Sequence, residues 1–275
     1  KNFKQRLHLG KGYVSIEARD NGINASIKIW ADVYKPIAHI DISCKQIINV
    51  EASYESWRYR DRIIATRENW GNSWKWGAPK NNIYKKDVIT FTGYEVLFYH
   101  HNSSETIFDA VVKQQGMESV KGQLYNPIKQ LVFGGSFSGK NFIAAGTDTG
   151  KYAQTDFKAW KLKSKSAAKQ HVLQLTLHNA QVASIDTWKK SLDSLKQKSN
   201  ADKPALQKTQ QWWKGFWSRS FIKVDPLQKD KRSWEVGRNY QLFRYMLACN
   251  AKGAWPTKFN GGLLTVDPIY TDTIN

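Results

Sequence analysis

The sequence predicts a mainly β fold: an antiparallel β-sandwich followed by helices. Three observations carry this. Apolar and polar residues alternate with a period of two through the first two-thirds of the chain. Short turn signals separate those runs. Near Ser184 the period changes to a helical one. Many strands with short turns and almost no helical period are the pattern of antiparallel sheets packed face to face.

The alternation is clear in Ile27, Ile29, Ala31 and Val33, in Ala38, Ile40 and Ile42, and in Ile48, Val50 and Ala52. Polar partners between them predict half-buried strands. Further strand-like runs cover 88–91, 94–99, 130–133, 141–145 and 171–177. Turns are expected at Asp20-Asn21-Gly22, at 101–104, at Gly134-Gly135 and at 146–150. The β-domain is thus read as 1–183.

A helical linker is read over 184–230. Asp186 is the expected cap of a helix that carries Trp188, Leu192 and Leu195 on one face. Pro204 suits the first turn of the next helix, which places Leu206, Thr209, Trp213, Phe216 and Trp217 along one side. Residues 231–275 read as the start of a helical domain. A helix over 232–251 carries Val236, Tyr240, Phe243 and Leu247 as one stripe, widened by Leu242, Tyr245 and Met246. So wide an apolar arc predicts burial on more than one side. One such helix makes no core by itself, and the chain begins at Lys1 without Met, so the sequence is expected to be part of a longer polypeptide that continues past Asn275.

Composition bounds the function. The chain has 275 residues, 41% of them hydrophobic, which is enough for a sizeable core. It holds twelve each of Trp, Tyr and Phe, more large rings than packing alone needs. The net charge of +19 attracts anions. The lysines are spread along the chain, however, and Lys158, Lys161, Lys163 and Lys165 alternate as on a strand with one wet face. That spread fits a basic surface better than a nucleic-acid interface. No apolar run reaches the roughly 18 residues of a membrane span, and no signal peptide is present. Cys44 and Cys249 show no metal or disulfide framework.

Several motifs bear on chemistry. The run GGSFSGKN, Gly134 to Asn141, nearly matches a phosphate loop, but Asn141 replaces the hydroxyl and a strand-like run follows in place of a helix. It is read as a hairpin turn. The histidines have no metal-ligand spacing, and adjacent His100 and His101 point to opposite faces of a strand. No metal and no cofactor is expected. Trp57, Arg58, Tyr59 and Arg60 suit an anionic or hydroxylated ligand, or equally a strand end with cross-strand pairs. The loop WGNSWKWG, Trp70 to Gly77, suits docking against another domain or stacking on a sugar. In GAWPTKFNGG, Trp255, Lys258 and Asn260 form a candidate polyol site, with Gly261-Gly262 allowing close backbone approach. Trp255, Lys258, Asn260, Asp267, Trp57 and Arg58 are therefore the candidate substrate-binding residues.

At WWKGFWSRSFI and GRNYQLFRYMLACNAKGAWPTKFNGGLLTVD the sequence resembles a junction in multi-domain bacterial glycoside hydrolases. There an N-terminal β super-sandwich is joined through a helical linker to an (α/α)6 barrel. The likeness is greatest to the uncharacterised DUF5703-type group, and IWADVYKPIAHIDI and YESWRYRDR also look like its sandwich. It is more distant to the family 95 α-L-fucosidase type, whose pattern Gly237–Tyr240 and Pro256–Gly261 occupy. The resemblance implies a galactose-mutarotase-like sandwich lacking its first strands and a truncated six-hairpin barrel. It implies a periplasmic or secreted enzyme acting on glycans, with the rest of the barrel as partner. The general acid and base would lie downstream of Asn275. Asp267 is read as a hydrogen-bond partner, and Lys258 and Asn260, standing where that pattern has Asn and Gln, argue against fucose specificity. A carbohydrate-binding module without catalysis is the second reading, and a basic nucleic-acid-binding protein the third.

Overall fold

The computed structural model describes residues 2–63, 83–103, 106–152, 155–200, 204–224, 227 and 229–253. They form mainly antiparallel sheet, with helices toward the C-terminus. They fall into two compact units, one within 1–47 and 198–253, the other within 48–197.

The first unit opens on a meander of β1 (Asn2–His8), β2 (Tyr13–Asp20), β3 (Ile23–Ala31) and β4 (Ile37–Ile48). The β2–β3 hairpin turns at Asn21-Gly22, both with positive φ, 47° and 79°. Such left-handed pairs match strand twist, and Asn-Gly tolerates them. The most buried side chains of this sheet are Trp30, Ile37 and Cys44. This corrects the alternation read for β3: the deepest residue, Trp30, lies on the face opposite Ile27 and Ile29, while Ala31 is exposed.

Helices α3 (Ala205–Arg219) and α4 (Lys231–Cys249) belong to the same unit. In α3 the buried positions are Ala205, Thr209 and Trp213, one helical face at intervals of four. The Thr209 hydroxyl accepts from the Val33 backbone N–H at 3.3 Å, and Trp217 Nε1 donates to the Leu9 carbonyl at 2.8 Å. Asp230 caps α4, accepting from the backbone N–H groups of Arg232 and Ser233. The expected burial of the α4 stripe is overturned. Val236, Tyr240, Phe243 and Leu247 are exposed, and only Gly237 and Ala248 are buried. A wide apolar arc shows that a helix has surface to cover; it does not show that this chain covers it.

The second unit holds β5 (Glu51–Ser56), β6 (Arg62–Ile63), β7 (Ile83–Tyr84), β8 (Val88–Thr92) and β9 (Glu95–His101). After α1 (Ile107–Gln114) and a 3-10 turn at Glu118–Gln123 come β10 (Leu131–Gly139), β11 (Phe142–Tyr152), β12 (Thr155–Ser164) and β13 (Ala168–Gln181), and α2 (Ile185–Asn200) starts here. One set of strands runs β13-β10-β9-β8, a second β11-β12-β5, and β6 pairs with β7. Tyr54 of β5 stacks on Phe98 of β9, with ring centroids 4.1 Å apart, tying the two sets face to face. Val96, Leu97 and Phe98 are all buried, so β9 is covered on both sides. On its other face Leu97 and Val132 pack with Trp188 and Leu192 of α2.

Four local readings change. Ser184 and not Asp186 caps α2, its hydroxyl accepting from the Thr187 N–H at 3.2 Å. Gly134-Gly135 is strand, not turn: a Cβ there would fall about 2 Å from the Phe98 and Thr176 carbonyl oxygens, so these glycines permit close strand approach. The turn after them falls at Lys140-Asn141 and links two different sheets, so it closes no hairpin. Residues 146–150 are not a turn but the interior of β11, where Gly146 (φ 86°) sits in a register shift between Ala144 and Thr147. Helix α1 had no counterpart in the sequence reading. Among the described residues no helix is long and apolar enough to cross a membrane.

Candidate functional site

Of the six candidate residues, Trp57 and Arg58 lie among the described residues; Trp255, Lys258, Asn260 and Asp267 lie outside them, as does Trp70 to Gly77. Trp57 and Arg58 follow β5. The buried Ser56 hydroxyl accepts from the Arg58 N–H at 3.1 Å and turns the chain there. The turn leaves Trp57 exposed, 41% of its surface open to solvent. Arg58 folds the other way, into a polar cluster.

The hub of that cluster is Asp87. Its carboxylate lies 3.0 Å from His100 Nδ1 and 3.5 Å from Arg58 Nε, and its backbone N–H donates to the Arg58 carbonyl at 2.8 Å. Arg58 Nη2 lies 3.3 Å from the same His100 nitrogen. That nitrogen can donate to Asp87 or accept from Arg58, not both at once, and the shorter contact favours the carboxylate. The guanidinium also lies over the Tyr84 ring at 5.7 Å, and Arg62 approaches that ring at 5.3 Å. Behind it, burial and then the Asp87 charge push the Tyr54 phenol well above its ordinary range, against the opposing charge of Arg58. Tyr54 is therefore a neutral donor at any physiological pH. The result is a guanidinium paired with the Asp87 carboxylate over the Tyr84 ring, one residue along the chain from an exposed indole. An exposed indole suits the apolar face of a ring, and a guanidinium suits an anionic or hydroxylated edge.

Neighbouring cations are engaged otherwise. Arg60 pairs with Asp156 at 3.2 Å and Lys161 with Asp148 at 2.9 Å. The wet lysine face of β12 holds in part: Lys163 and Lys165 are exposed, while Lys158 lies over Trp160.

The first unit holds a cavity of 290 Å³ walled by Trp30, Asp32, Trp212, Trp213, Tyr245 and Lys252. Much of its aromatic surface is already used. Trp213 is buried and stacks on Tyr245 at 4.7 Å, and Lys252 sits 3.8 Å from the centre of the Tyr34 ring. Burial raises the Cys249 thiol pKa against the lowering effect of its bond with Tyr245, which makes it a poor nucleophile. This wall is mainly packing. Among the described residues no group of three His, Cys, Asp or Glu could hold a metal ion.

Sequence reasoning missed Asp87, His100, Tyr84 and Tyr54. They come from β5, β7, β9 and the link before β8, and only strand pairing brings them together.

Comparison with known families finds one described as a domain of unknown function, DUF5703, whose N-terminal pattern matches residues 1–222. No curated protein matches the chain.

Proposed function

The chain belongs to the DUF5703 family, and on that premise we propose that it is the glycan-contacting scaffold of a glycoside hydrolase whose general acid and base lie outside it. The observation that carries the reading is that exposed Trp57 is followed directly by Arg58, whose guanidinium is ion-paired with Asp87. An indole offers a sugar its flat face, and a fixed guanidinium offers a fork to hydroxyl or carboxylate oxygens. Because Asp87 and the Tyr84 ring hold the guanidinium before any ligand arrives, little side-chain entropy is lost on binding. In support stands the likeness to glycoside-hydrolase junctions over residues 211–267. Glycosidic hydrolysis itself needs a carboxylic acid and a carboxylate flanking the scissile bond, and no residue of this cluster is assigned either role.

The test is calorimetry of the chain with neutral and uronic-acid-containing oligosaccharides. Binding is expected, and Trp57→Ala or Arg58→Ala should weaken it about tenfold or more. No heat with any saccharide would sink the reading. On a panel of aryl glycosides the chain alone should give no turnover. Robust turnover would overturn the placement of the acid and base outside it.

A further inference from the structure

Helix α4 leaves an apolar face exposed. Val236, Tyr240, Phe243 and Leu247 fall on one side of it, each between 38% and 63% open to solvent. The segment before the helix widens this surface. Gln241 donates to the Ile222 carbonyl and Arg244 to the Ser220 carbonyl, so the exposed Phe221 and Ile222 lie along the same helix. Monomers rarely leave apolar patches larger than a few hundred Å² open without a use.

The spacing of the stripe identifies what fits it. Its steps are four, three and four residues, the same read from either end. A second α4 laid antiparallel, about a two-fold axis between positions 241 and 242, therefore sets Val236 against Leu247 and Tyr240 against Phe243. Both pairs occur twice, and both match in kind, aliphatic on aliphatic and ring on ring. Steps of three and four are those of helices that interlock at a shallow angle. A two-fold contact of this type closes at two copies.

Charge permits the same register. Arg232, Glu235, Arg238 and Arg244 stand opposite Ala251, Ala248, Tyr245 and Asn239, so no like charges meet across the stripe. The like pair Lys231 and Lys252 falls beyond its ends, and Lys252 lies over the Tyr34 ring. A helix that lies on an anionic lipid surface is rich in cations beside its apolar face. Here helical spacing puts Arg232 and Asn239 on one flank, Ser233 and Gly237 on the other, and Arg244 turns to Ser220.

We infer that this face pairs with a second copy of the chain, α4 antiparallel to α4, in a two-fold dimer. Phe221 and Ile222 lie beside the midpoint of the stripe, where the two copies come together. The contact buries on the order of 1,000 Å² in total, the low end for a specific interface, so the dimer is a weak one that forms at about 10–100 µM. Two chains of +19 also repel, so salt should tighten the pairing.

Sedimentation equilibrium of the whole chain from about 1 to 300 µM is the test, since only pairing makes the mass depend on concentration. A monomer–dimer equilibrium is expected, shifting to dimer as NaCl rises from about 0.1 to 0.5 M. Val236→Glu and Leu247→Lys should each weaken it about tenfold or more. Each new charge sits at the end of α4 whose dipole favours it, so the fold should hold. Urea midpoints at about 1 µM, where the dimer is dissociated, should match the parent's. An equimolar mixture of the two variants should regain pairing, because the new carboxylate of one copy then faces the new ammonium of the other. A parent chain that stays monomeric throughout overturns the inference. If that monomer binds phosphatidylserine vesicles in a way that salt loosens, the face belongs to a membrane instead. A dimer that survives Val236→Glu, or a mixture that pairs no better than either variant, overturns the α4 register.

Discussion

Gly12 lies directly under the indole of Trp213: a Cβ on Gly12 would sit 1.9 Å from Trp213 Nε1 and 2.1 Å from Cδ1. The β1–β2 turn and helix α3 therefore meet at a point where no side chain fits. Gly12 also has φ 66°, so an added Cβ would be strained as well as clashing. Gly12→Ala should cost about 2–4 kcal/mol, the sum of a left-handed backbone penalty and overpacking. Gly22 is the control. It has φ 79° with nothing within 4 Å, so Gly22→Ala should pay the backbone part alone, about 1 kcal/mol. Urea midpoints compare the two. Equal losses would mean that the Trp213 contact contributes nothing.

Glu95 is the anchor by which β9 holds α2. Its carboxylate accepts from Ser136 Oγ at 2.6 Å and from Lys196 Nζ at 2.8 and 3.0 Å, and Asp193 adds a second partner for Lys196 at 2.8 Å. Burial lowers the Lys196 pKa, but the bonds to Asp193 and Glu95 outweigh it and the pKa is raised. The pair is mostly shielded, and removing Lys196 leaves the Glu95 carboxylate with Ser136 as its remaining partner. Lys196→Met should cost about 1–3 kcal/mol. A double-mutant cycle with Glu95→Gln should return a coupling above about 0.5 kcal/mol. A coupling near zero would reduce the contact to an ordinary surface pair.

These two contacts mark where sequence reading stops. Local pattern was enough for the existence of β3, β4, α3 and α4, because each runs over eight residues or more, but not for the buried face of β3 or α4. Helix α1 has eight residues, too few for a period to stand out, and its one signal is the box formed by Thr106 and Asp109. Gly134-Gly135 was misread because a glycine pair serves a turn and a close strand approach equally well. In the candidate site, Trp57 and Arg58 were legible as neighbours in sequence. Asp87 and His100 were not, since they lie 29 and 42 positions from Arg58 and nothing local ties them to it. The exposed stripe of α4 was visible as a stripe, but its exposure depends on what else packs there.

Two histidines give stability a pH dependence. His178 lies beside buried Trp188 with its Nε2 buried and without a hydrogen-bond partner, and burial lowers its pKa from the ordinary 6.5. His39 stacks on Trp30 at 3.9 Å, and its pKa is also lowered, chiefly by burial, against the raising charges of Asp41 and Asp32. Both are held neutral in the folded chain, so the unfolded chain takes up protons first as pH falls. Their stabilisation is complete above about 6.5 and is lost as pH drops below it toward the folded values. Asp109 acts lower: held at about 2, its contribution is complete above 3.8 and is lost only as pH falls from there. Urea midpoints should fall between pH 7.5 and 5.5, and His178→Phe should flatten that slope. An unchanged slope in the variant would remove His178 from the account.

Helix α4 is held by the Tyr245–Trp213 stack and by polar contacts, not by its exposed stripe of Val236, Phe243 and Leu247. Arg244 donates to the Ser220 carbonyl and to Ser220 Oγ, and lies 5.0–5.8 Å from the Phe216, Trp217 and Tyr240 ring centres. Gln241 donates to the Ile222 carbonyl. Val236 and Phe243 are 63% and 55% exposed. Val236→Ser and Phe243→Ser should each change stability by less than about 0.5 kcal/mol, whereas Trp213→Ala should cost about 3–5 kcal/mol. Arg244→Lys keeps the charge and loses the planar fork that reaches Ser220 and stacks on the rings, so it should destabilise by about 1 kcal/mol or more. Chemical denaturation of the four variants orders them. If Phe243→Ser ranked with Trp213→Ala, the stripe and not Arg244 would be what fixes α4.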